Sequence, residues 1–240
     1  MTQVGGAGPD QVDDLKRRYR GALLGVVVGD ALGAPFEGHA GPVPPAFLGR
    51  IEAGEAPLRY TDDTTMTFAL AESLLFCGRL DLDHLAATFA STYQREPYRG
   101  YGAAVAQLLS RVAAGAGWAQ AAASLAGMPP GSPPSDVAAA TGTGITGIEA
   151  VPAAIAAAAL NLDSFADTVR FAISLGGDTD TIAAMAGAIS GARLGEDAVP
   201  AAWLRRVEGV EKARDLADRL AAAHTRKVSW TAGDHSLSDQ

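Results

Sequence analysis

Two segments of the sequence place paired aspartates and threonines in front of a run of small or apolar residues. The first reads "YTDDTTMTFALAESLL" and contains Asp62 and Asp63. The second reads "GGDTDTIAAMAGAISGARLG" and contains Asp178 and Asp180. Acids in a first helical turn suit the helix dipole and threonine is a good N-cap, so capping alone would explain one such segment. Because the pattern occurs twice, it points to shared chemistry.

That chemistry is the binding of a hard cation. Four carboxylates brought together would repel one another strongly unless a multivalent cation neutralised them. The donors are carboxylate and hydroxyl oxygens, and neither segment contains His or Cys. Such donors suit Mg²⁺ or Mn²⁺ and do not suit a structural zinc ion. The residue types therefore predict a metal site for two ions.

A third acidic segment, "GVVVGDALGAPFEG", contains Asp30 and Glu37. Asp30 falls in the most hydrophobic part of the first predicted helix, where an ionised carboxylate must be paired, hydrogen-bonded or bound to a metal. Capping or a buried hydrogen bond to the backbone is the structural alternative for Asp30. Glu37 follows Pro35 on a loop, where a solvated glutamate is the ordinary case.

Two other patterns have plainer explanations. Cys77 could act as a nucleophile with His84 as its base, but Gly78 is expected to end the helix between them, and a lone cysteine is usually a small buried hydrophobe. The stretch "GTGITG" matches a dinucleotide-binding pattern, yet "SDVAAAT" precedes it where that pattern needs a strand. A flexible helix start around Gly144 that approaches a ligand is favoured.

The elements that must position these residues are helices. The chain has 240 residues, of which 48% are hydrophobic, and alanine dominates its long segments. No stretch of alternating polarity predicts a strand. Loops are predicted at residues 33–49 and 127–136, where Gly and Pro cluster. Helices are predicted at residues 13–32, 62–76, 82–93, 103–113, 148–160, 162–174, 179–194 and 201–224.

Composition excludes several classes of protein. The net charge is −8 and no basic stripe is visible, which disfavours nucleic-acid binding. The polar N-terminal stretch lacks a signal peptide's apolar core, and the run "GALLGVVVG" is too short to span a membrane. We therefore expect a cytoplasmic protein with one folded domain at residues 11–227, between flexible ends at residues 1–10 and 228–240.

Three motifs in order, "GALLGVVVGDALGAPFE", "TDDTTM" and "GGDTDTIAAMAGAISGARLG", resemble the signatures of the ADP-ribosylglycohydrolase family. The resemblance implies a compact, single-domain, all-α orthogonal helical bundle with two Mg²⁺ or Mn²⁺ ions at the mouth of a cleft. "YRGYGAAVAQLL" and "EAVPAAIAAAALN" are similar to the branch that removes ADP-ribose from serine and cleaves poly(ADP-ribose) and O-acetyl-ADP-ribose. The implied substrate is an ADP-ribosylated protein or small molecule.

The resemblance also implies roles for individual residues. Glu37, Asp62 and Asp63 are the candidates for the carboxylate that takes a proton from water, and the choice among them stays open. The implied metal ligands are Thr61, Asp62, Asp63, Asp178, Asp180 and Thr181. The candidate substrate-binding residues are Gly100, Tyr101, Gly102, Gly131, Ser132 and Gly144.

The sequence departs from the family pattern after Gly131 and Ser132. The family continues with "GNGAAMR" and further helices, whereas this chain reads "PPSDVAAATGTGITG". In the family this part cradles the diphosphate and the distal ribose. Its absence leaves open a minimal hydrolase, an enzyme for a smaller substrate, or a non-catalytic ADP-ribose or metal-binding relative. A metal-dependent phosphohydrolase is a further alternative, and an apolar surface left exposed would favour a homodimer.

Overall fold

The computed structural model describes residues 9–117 and 147–231. Within these two ranges the regular structure is helical and no strand forms. Two isolated β-bridges pair His39 with Gly177 and Leu58 with Val207. The predicted all-α class is confirmed. None of the helices in the two ranges combines the length and the apolar character that crossing a lipid bilayer requires.

Most predicted helices form, with shifts of a few residues at some ends. Short 3₁₀ turns at Ala34–Phe36 and Glu196–Ala198 follow the first and eighth helices. In the described ranges the helices are α1 (Pro9–Gly33), α2 (Pro45–Ala53), α3 (Asp62–Cys77), α4 (Leu82–Arg95), α5 (Ala103–Ala113), α6 (Gly147–Leu160), α7 (Phe165–Ser174), α8 (Thr179–Leu194), α9 (Ala201–Leu204) and α10 (Val210–Thr231). The domain limits at residues 11 and 227 stay a prediction.

Helix α2 begins at Pro45, inside the segment 33–49 that the sequence predicted to be a loop. Pro45 occupies its first turn, a position that leaves its missing N–H without consequence. Leu48 is buried in the core, so the helix is held by tertiary packing. The prediction was wrong because prolines that break a helix interior also favour a helix start.

The predicted helix at residues 201–224 is two helices. Between α9 and α10, Gly209 has φ +83°, a left-handed conformation that favours glycine. The amide of Leu58 donates to the carbonyl of Arg206 at 2.9 Å, and the amide of Glu208 donates to the carbonyl of Leu58 at 3.1 Å. These bonds to a distant segment compete with helix formation and interrupt the predicted helix.

Helices α1 and α8 are in backbone contact along their length. α1 carries glycine at every fourth position, Gly21, Gly25, Gly29 and Gly33, all of which face α8. A Cβ atom at Gly25 would lie 2.1 Å from the carbonyl oxygen of Gly187. The same spacing brings the end of α1 against the start of α8, where Thr179 Oγ1 donates to the carbonyl of Gly33 at 2.9 Å.

Candidate metal and substrate site

Three helix ends meet on one side of the α1–α8 pair, and each carries one of the predicted acidic segments. Thr181 Oγ1, in the first turn of α8, donates a 3.0 Å hydrogen bond to Asp63 Oδ2 in the first turn of α3. Asp30, near the end of α1, is hydrogen-bonded to Thr61 and Thr64 at the start of α3. The fold therefore brings the three segments together.

The fully buried carboxylate of Asp30 caps α3 from outside that helix. It accepts the amide of Thr61 at 3.0 Å and the amide of Thr64 at 3.0 Å. It also accepts the hydroxyls of Thr61 at 2.8 Å and Thr64 at 2.6 Å. Burial raises the pKa of Asp30, and these hydrogen bonds oppose the rise. The predicted buried hydrogen bond of Asp30 to the backbone is confirmed.

Thr61 occupies the N-cap position of α3, as its type suggested, but its side chain makes no capping bond to the helix. Its hydroxyl donates to Asp30 instead. The capping explanation for this threonine was therefore wrong. The backbone amides at the start of α3, which have no acceptor within the helix, donate to a buried carboxylate. A charged acceptor forms a stronger hydrogen bond than a neutral hydroxyl would.

Glu37, Asp178 and Asp180 form an acidic cluster. One carboxylate oxygen from each lies within 4.8 Å of the other two. Asp180 is buried, Asp178 is half-buried and Glu37 is exposed, so the cluster opens to solvent on one side. Asp178 is the N-cap residue of α8, yet its side chain makes no capping hydrogen bond. Its carboxylate is therefore not committed to the helix, and oxygens at this spacing suit a hard divalent cation.

The backbone holds Glu37 beside Asp178. The amide of Gly38 donates to the carbonyl of Gly177 at 2.8 Å, and the amide of Gly177 returns a 3.0 Å bond to His39. Gly176 has φ +76°, and a Cβ there would lie 2.0 Å from the carbonyl oxygen of Gly41. Glycine is required at this position on both counts.

Three of the site carboxyls, those of Asp62, Asp63 and Asp180, have raised pKa values. Burial is the main reason that the pKa of Asp62 is raised to about 6 and that of Asp63 to about 7. The charge of Asp30 adds to both rises. Burial also raises the pKa of Asp180, and its hydrogen bond with Asp178 adds to the rise. Carboxylates that are buried this close together are more stable as anions when a cation is bound than when none is present.

The candidate substrate-binding residues Gly100, Tyr101 and Gly102 form a loop before α5, directly beside the start of α3. Gly100 has φ +92°, and a Cβ there would lie 3.8 Å from Asp62 Oδ1. Tyr101 packs edge-on against Tyr93 with ring centroids 5.0 Å apart. Its buried hydroxyl has no hydrogen-bond partner in the described part of the chain. Burial, with the charge of Asp62, raises the pKa of Tyr101 to about 12.

The three remaining candidates, Gly131, Ser132 and Gly144, lie outside the described residues. Sequence reasoning missed two features of the site. It did not use the four-residue glycine spacing on α1, although that spacing was readable. It also missed Arg99 and Glu208, which are hydrogen-bonded to each other and to the backbone of Tyr60 and have no local signal.

Cys77 and His84 do not form a nucleophile–base pair. His84 Nδ1 lies 2.8 Å from Ser73 Oγ, and its ring stacks on Phe76 with centroids 4.7 Å apart. Gly78, with φ +66°, ends α3 as the sequence predicted. Cys77 is half-buried, and among the described residues no contact joins it to His84.

The all-α fold gathers acids and threonines at helix ends into a candidate metal site, and comparison with known proteins names the family. The ADP-ribosylglycohydrolase family model matches residues 11–132 and 110–229, so the chain belongs to that family. A solved structure called ADP-ribosylglycohydrolase-related protein complex superimposes with a TM-score of 0.64 at 25% identity. The superposition covers 88% of this chain and 99% of that one.

Characterised relatives align with this chain either over most of its length with long gaps or over less than half of it. ADP-ribosylhydrolase ARH3 of Danio rerio is 26% identical over 331 residues, covering 85% of this chain and 90% of that protein. ADP-ribosylhydrolase ARH3 of Xenopus tropicalis is 39% identical over 105 residues, covering 41% of this chain and 30% of that protein. The alignment thus spans less than a third of the frog protein. These similarities are consistent with the branch expected from the sequence.

The zebrafish alignment also supports the predicted internal omission. It runs over 331 positions although this chain has 240 residues, so it must place long gaps in this chain. The two segments that match the family model overlap at residues 110–132.

Proposed function

We propose that the chain is a metal-dependent hydrolase that releases ADP-ribose from ADP-ribosylated substrates. The preferred linkage in this proposal is O-glycosidic, as in ADP-ribosyl-serine or O-acetyl-ADP-ribose. The observation that carries it is the acidic cluster of Glu37, Asp178 and Asp180, whose oxygens lie within 4.8 Å of one another. The cluster adjoins the bond between Thr181 and Asp63, in a chain of the ADP-ribosylglycohydrolase family.

The donor set fits divalent cations. Burial and neighbouring carboxylates raise the pKa values of Asp62, Asp63 and Asp180, and the Asp178 side chain makes no capping bond. We propose two ions, Mg²⁺ or Mn²⁺, bound by Thr61, Asp62, Asp63, Asp178, Asp180 and Thr181. When bound, such ions supply positive charge that fixes ribose hydroxyls and polarises oxygen at the scissile bond.

The chain's own residues supply orientation and a base. A carboxylate must take the proton of the attacking water, and Glu37, Asp62 and Asp63 remain the candidates. Asp62 and Asp63 are half-buried in the first turn of α3, beside the proposed ions. Glu37 is the exposed candidate, which leaves its side chain free to move when a substrate enters.

The Gly100–Gly102 loop is proposed to meet the diphosphate of ADP-ribose. Its place beside Asp62 supports this role, since a Cβ at Gly100 would lie 3.8 Å from Asp62 Oδ1. Gly131, Ser132 and Gly144 stay sequence-based candidates for the same task. A binding protein without turnover is the second candidate function, and the gaps relative to the zebrafish protein favour it.

The test uses a serine-ADP-ribosylated peptide with Mg²⁺, with and without a chelator. The expected result is chelator-sensitive release of free ADP-ribose that is lost in Asp178→Asn. Asp218→Asn is the matched control, since Asp218 is an acid that pairs with Arg20 and Lys16 away from the site. Binding without release would support the second candidate, and release of AMP or phosphate would show a phosphohydrolase.

A homodimer and a cytoplasmic location also remain proposals. The exposed side of α6 carries Val151, Ile155 and Leu160, with 43%, 54% and 70% of their surface exposed. Such exposed apolar side chains favour a partner, and a second copy of the chain is the simplest one. Gel filtration with light scattering tests this, and Ile155→Lys should convert a dimer into a monomer.

A further inference from the structure

Arg99 ties the segment between α4 and α5 to the segment that leads into α3. Its Nε donates to Glu96 Oε2 at 2.6 Å, and its Nη1 donates to the carbonyl of Tyr60 at 3.2 Å. The same Nη1 donates to Glu208 Oε1. The guanidinium lies over the Tyr60 ring, 3.9 Å from the centroid. With 11% of its side chain exposed, Arg99 is nearly buried.

Glu208 completes the connection from the other side. Its Oε1 also accepts the amide of Tyr60 at 3.2 Å, so both backbone polar groups of Tyr60 are engaged. The backbone of Glu208 is itself fixed by the bond of its amide to Leu58. Tyr60 is therefore held by Arg99, by Glu208 and by an edge-on contact with Phe68 at 5.8 Å.

The residues next to this pair belong to the proposed site. Gly100 follows Arg99 directly in the chain, and a Cβ atom at Gly100 would lie 3.8 Å from Asp62 Oδ1. In the same way, Thr61 follows Tyr60. The first turn of α3 has its own support, because Asp30 holds it with bonds that do not involve Arg99. Loss of Arg99 would thus free the loop while leaving the turn with the acids in place.

We propose that Arg99 is a positioning residue which, with Glu208, holds the Gly100–Gly102 loop in the place where a ligand's diphosphate docks. That a ligand's diphosphate docks at this loop rests on the proposed function. That Arg99 and Glu208 hold the loop rests on the observed contacts alone. Arg99 meets a backbone carbonyl, two carboxylates and a ring at once. A lysine offers a compact ammonium that cannot reproduce this planar arrangement.

The first experiment compares Arg99→Lys, Arg99→Ala and Glu208→Gln by calorimetry. Mn²⁺ is titrated alone, and ADP-ribose is titrated at saturating Mg²⁺. In both Arg99 variants ADP-ribose affinity should fall about 10-fold or more, because the loop must then be ordered when the ligand binds, while Mn²⁺ affinity changes little. Glu208→Gln keeps an acceptor oxygen and should lose less. Equal losses of Mn²⁺ and ADP-ribose affinity would overturn the proposal.

Arg170→Ala is the matched control. Arg170 donates to Glu52 at 2.7 Å and to Asp167 at 3.3 Å, and its guanidinium lies 5.6 Å from the Trp203 ring centroid. It thus also contacts two carboxylates and a ring, away from the site, although 45% of its side chain is exposed. Its loss should leave ADP-ribose affinity unchanged, and an effect equal to that of Arg99→Ala would reduce Arg99 to a general stabilising role.

The second experiment needs no ligand. Chymotrypsin cleavage after Tyr98 and Tyr101 is followed in the wild-type protein and in Arg99→Lys, well below the melting temperature of both. Faster cleavage confined to these two bonds is expected, and an unchanged rate would overturn the proposal. If wild-type protein binds no ADP-ribose, the proposed function fails, and the cleavage rates still decide whether Arg99 holds the loop.

Discussion

Thr181 Oγ1 donates a 3.0 Å hydrogen bond to Asp63 Oδ2, and the two residues are 118 positions apart in the chain. The bond joins the first turns of α8 and α3. The first turn of α3 carries Asp62 and Asp63, whereas Asp178 is the N-cap residue of α8 and Asp180 lies in its first turn. Separately, each could be explained as a capped helix start. Joined in this way, they become one acidic site.

Removing this bond should weaken cation binding. Thr181→Val deletes a proposed ligand and also the hydrogen bond that lowers the pKa of Asp63. We expect Mn²⁺ affinity to fall about 10-fold or more, measured by calorimetry. Thr225→Val is the control, because Thr225 Oγ1 donates only to the carbonyl of Ala221 within α10. Equal Mn²⁺ affinity in both variants would argue against a ligand role for Thr181.

The cap supplied by Asp30 should be worth more than an ordinary one. Asp30→Ala leaves buried amides and hydroxyls of Thr61 and Thr64 without an acceptor, and should cost about 3 kcal/mol of unfolding free energy. Asp81→Ala removes the N-cap of α4, which accepts the amide of His84 at 3.1 Å, and should cost about 1 kcal/mol. Urea denaturation compares the two, and the reverse order would contradict the importance of Asp30.

The metal-free protein should lose stability as the pH rises. The pKa values of Asp62 and Asp63 are raised from 3.8 to about 6 and about 7, so the folded state holds protons that the unfolded state releases. This contribution is complete below about pH 4 and is lost as the pH rises through about 6 and 7. With a chelator present, the melting temperature at pH 5.5 should exceed that at pH 8.

Two controls make this pH prediction specific. The double variant Asp62→Asn with Asp63→Asn should reduce the pH dependence, because it removes both titrating groups. Added Mg²⁺ should raise the melting temperature more at pH 8 than at pH 5.5, since the carboxylates are ionised at the higher pH. A melting temperature that rises with pH in the presence of chelator would contradict the assigned pKa shifts.

The backbone contact between α1 and α8 should tolerate no added atom. Gly25→Ala places a Cβ 2.1 Å from the carbonyl oxygen of Gly187, so the helices must separate, at a cost of about 2 kcal/mol or more. Gly49→Ala is the control, because a Cβ at Gly49 in α2 meets nothing within 4 Å. That change should be neutral or stabilising by up to about 1 kcal/mol. Urea midpoints that fall equally would contradict the close packing.

Local patterns in the sequence were enough for the family, the helical class and the starts of the two acidic helices. Helix α3 begins at Asp62 and α8 at Thr179, as predicted, because caps, first-turn acids and apolar runs act over a few residues. The hard-donor character of the site was also readable, since it depends on residue types and not on partners.

Only the tertiary structure decided how these parts are joined. The acceptor for the start of α3 is Asp30, 31 residues before Thr61, and the loop beside Asp62 is held by Arg99 through Glu208, 109 residues away. Likewise, Leu58 interrupts the predicted helix at residues 201–224 by pairing with the backbone around Val207. The reason is physical: a hydrogen bond or a backbone contact between distant segments leaves no local pattern, since its partner is known only once the chain has folded.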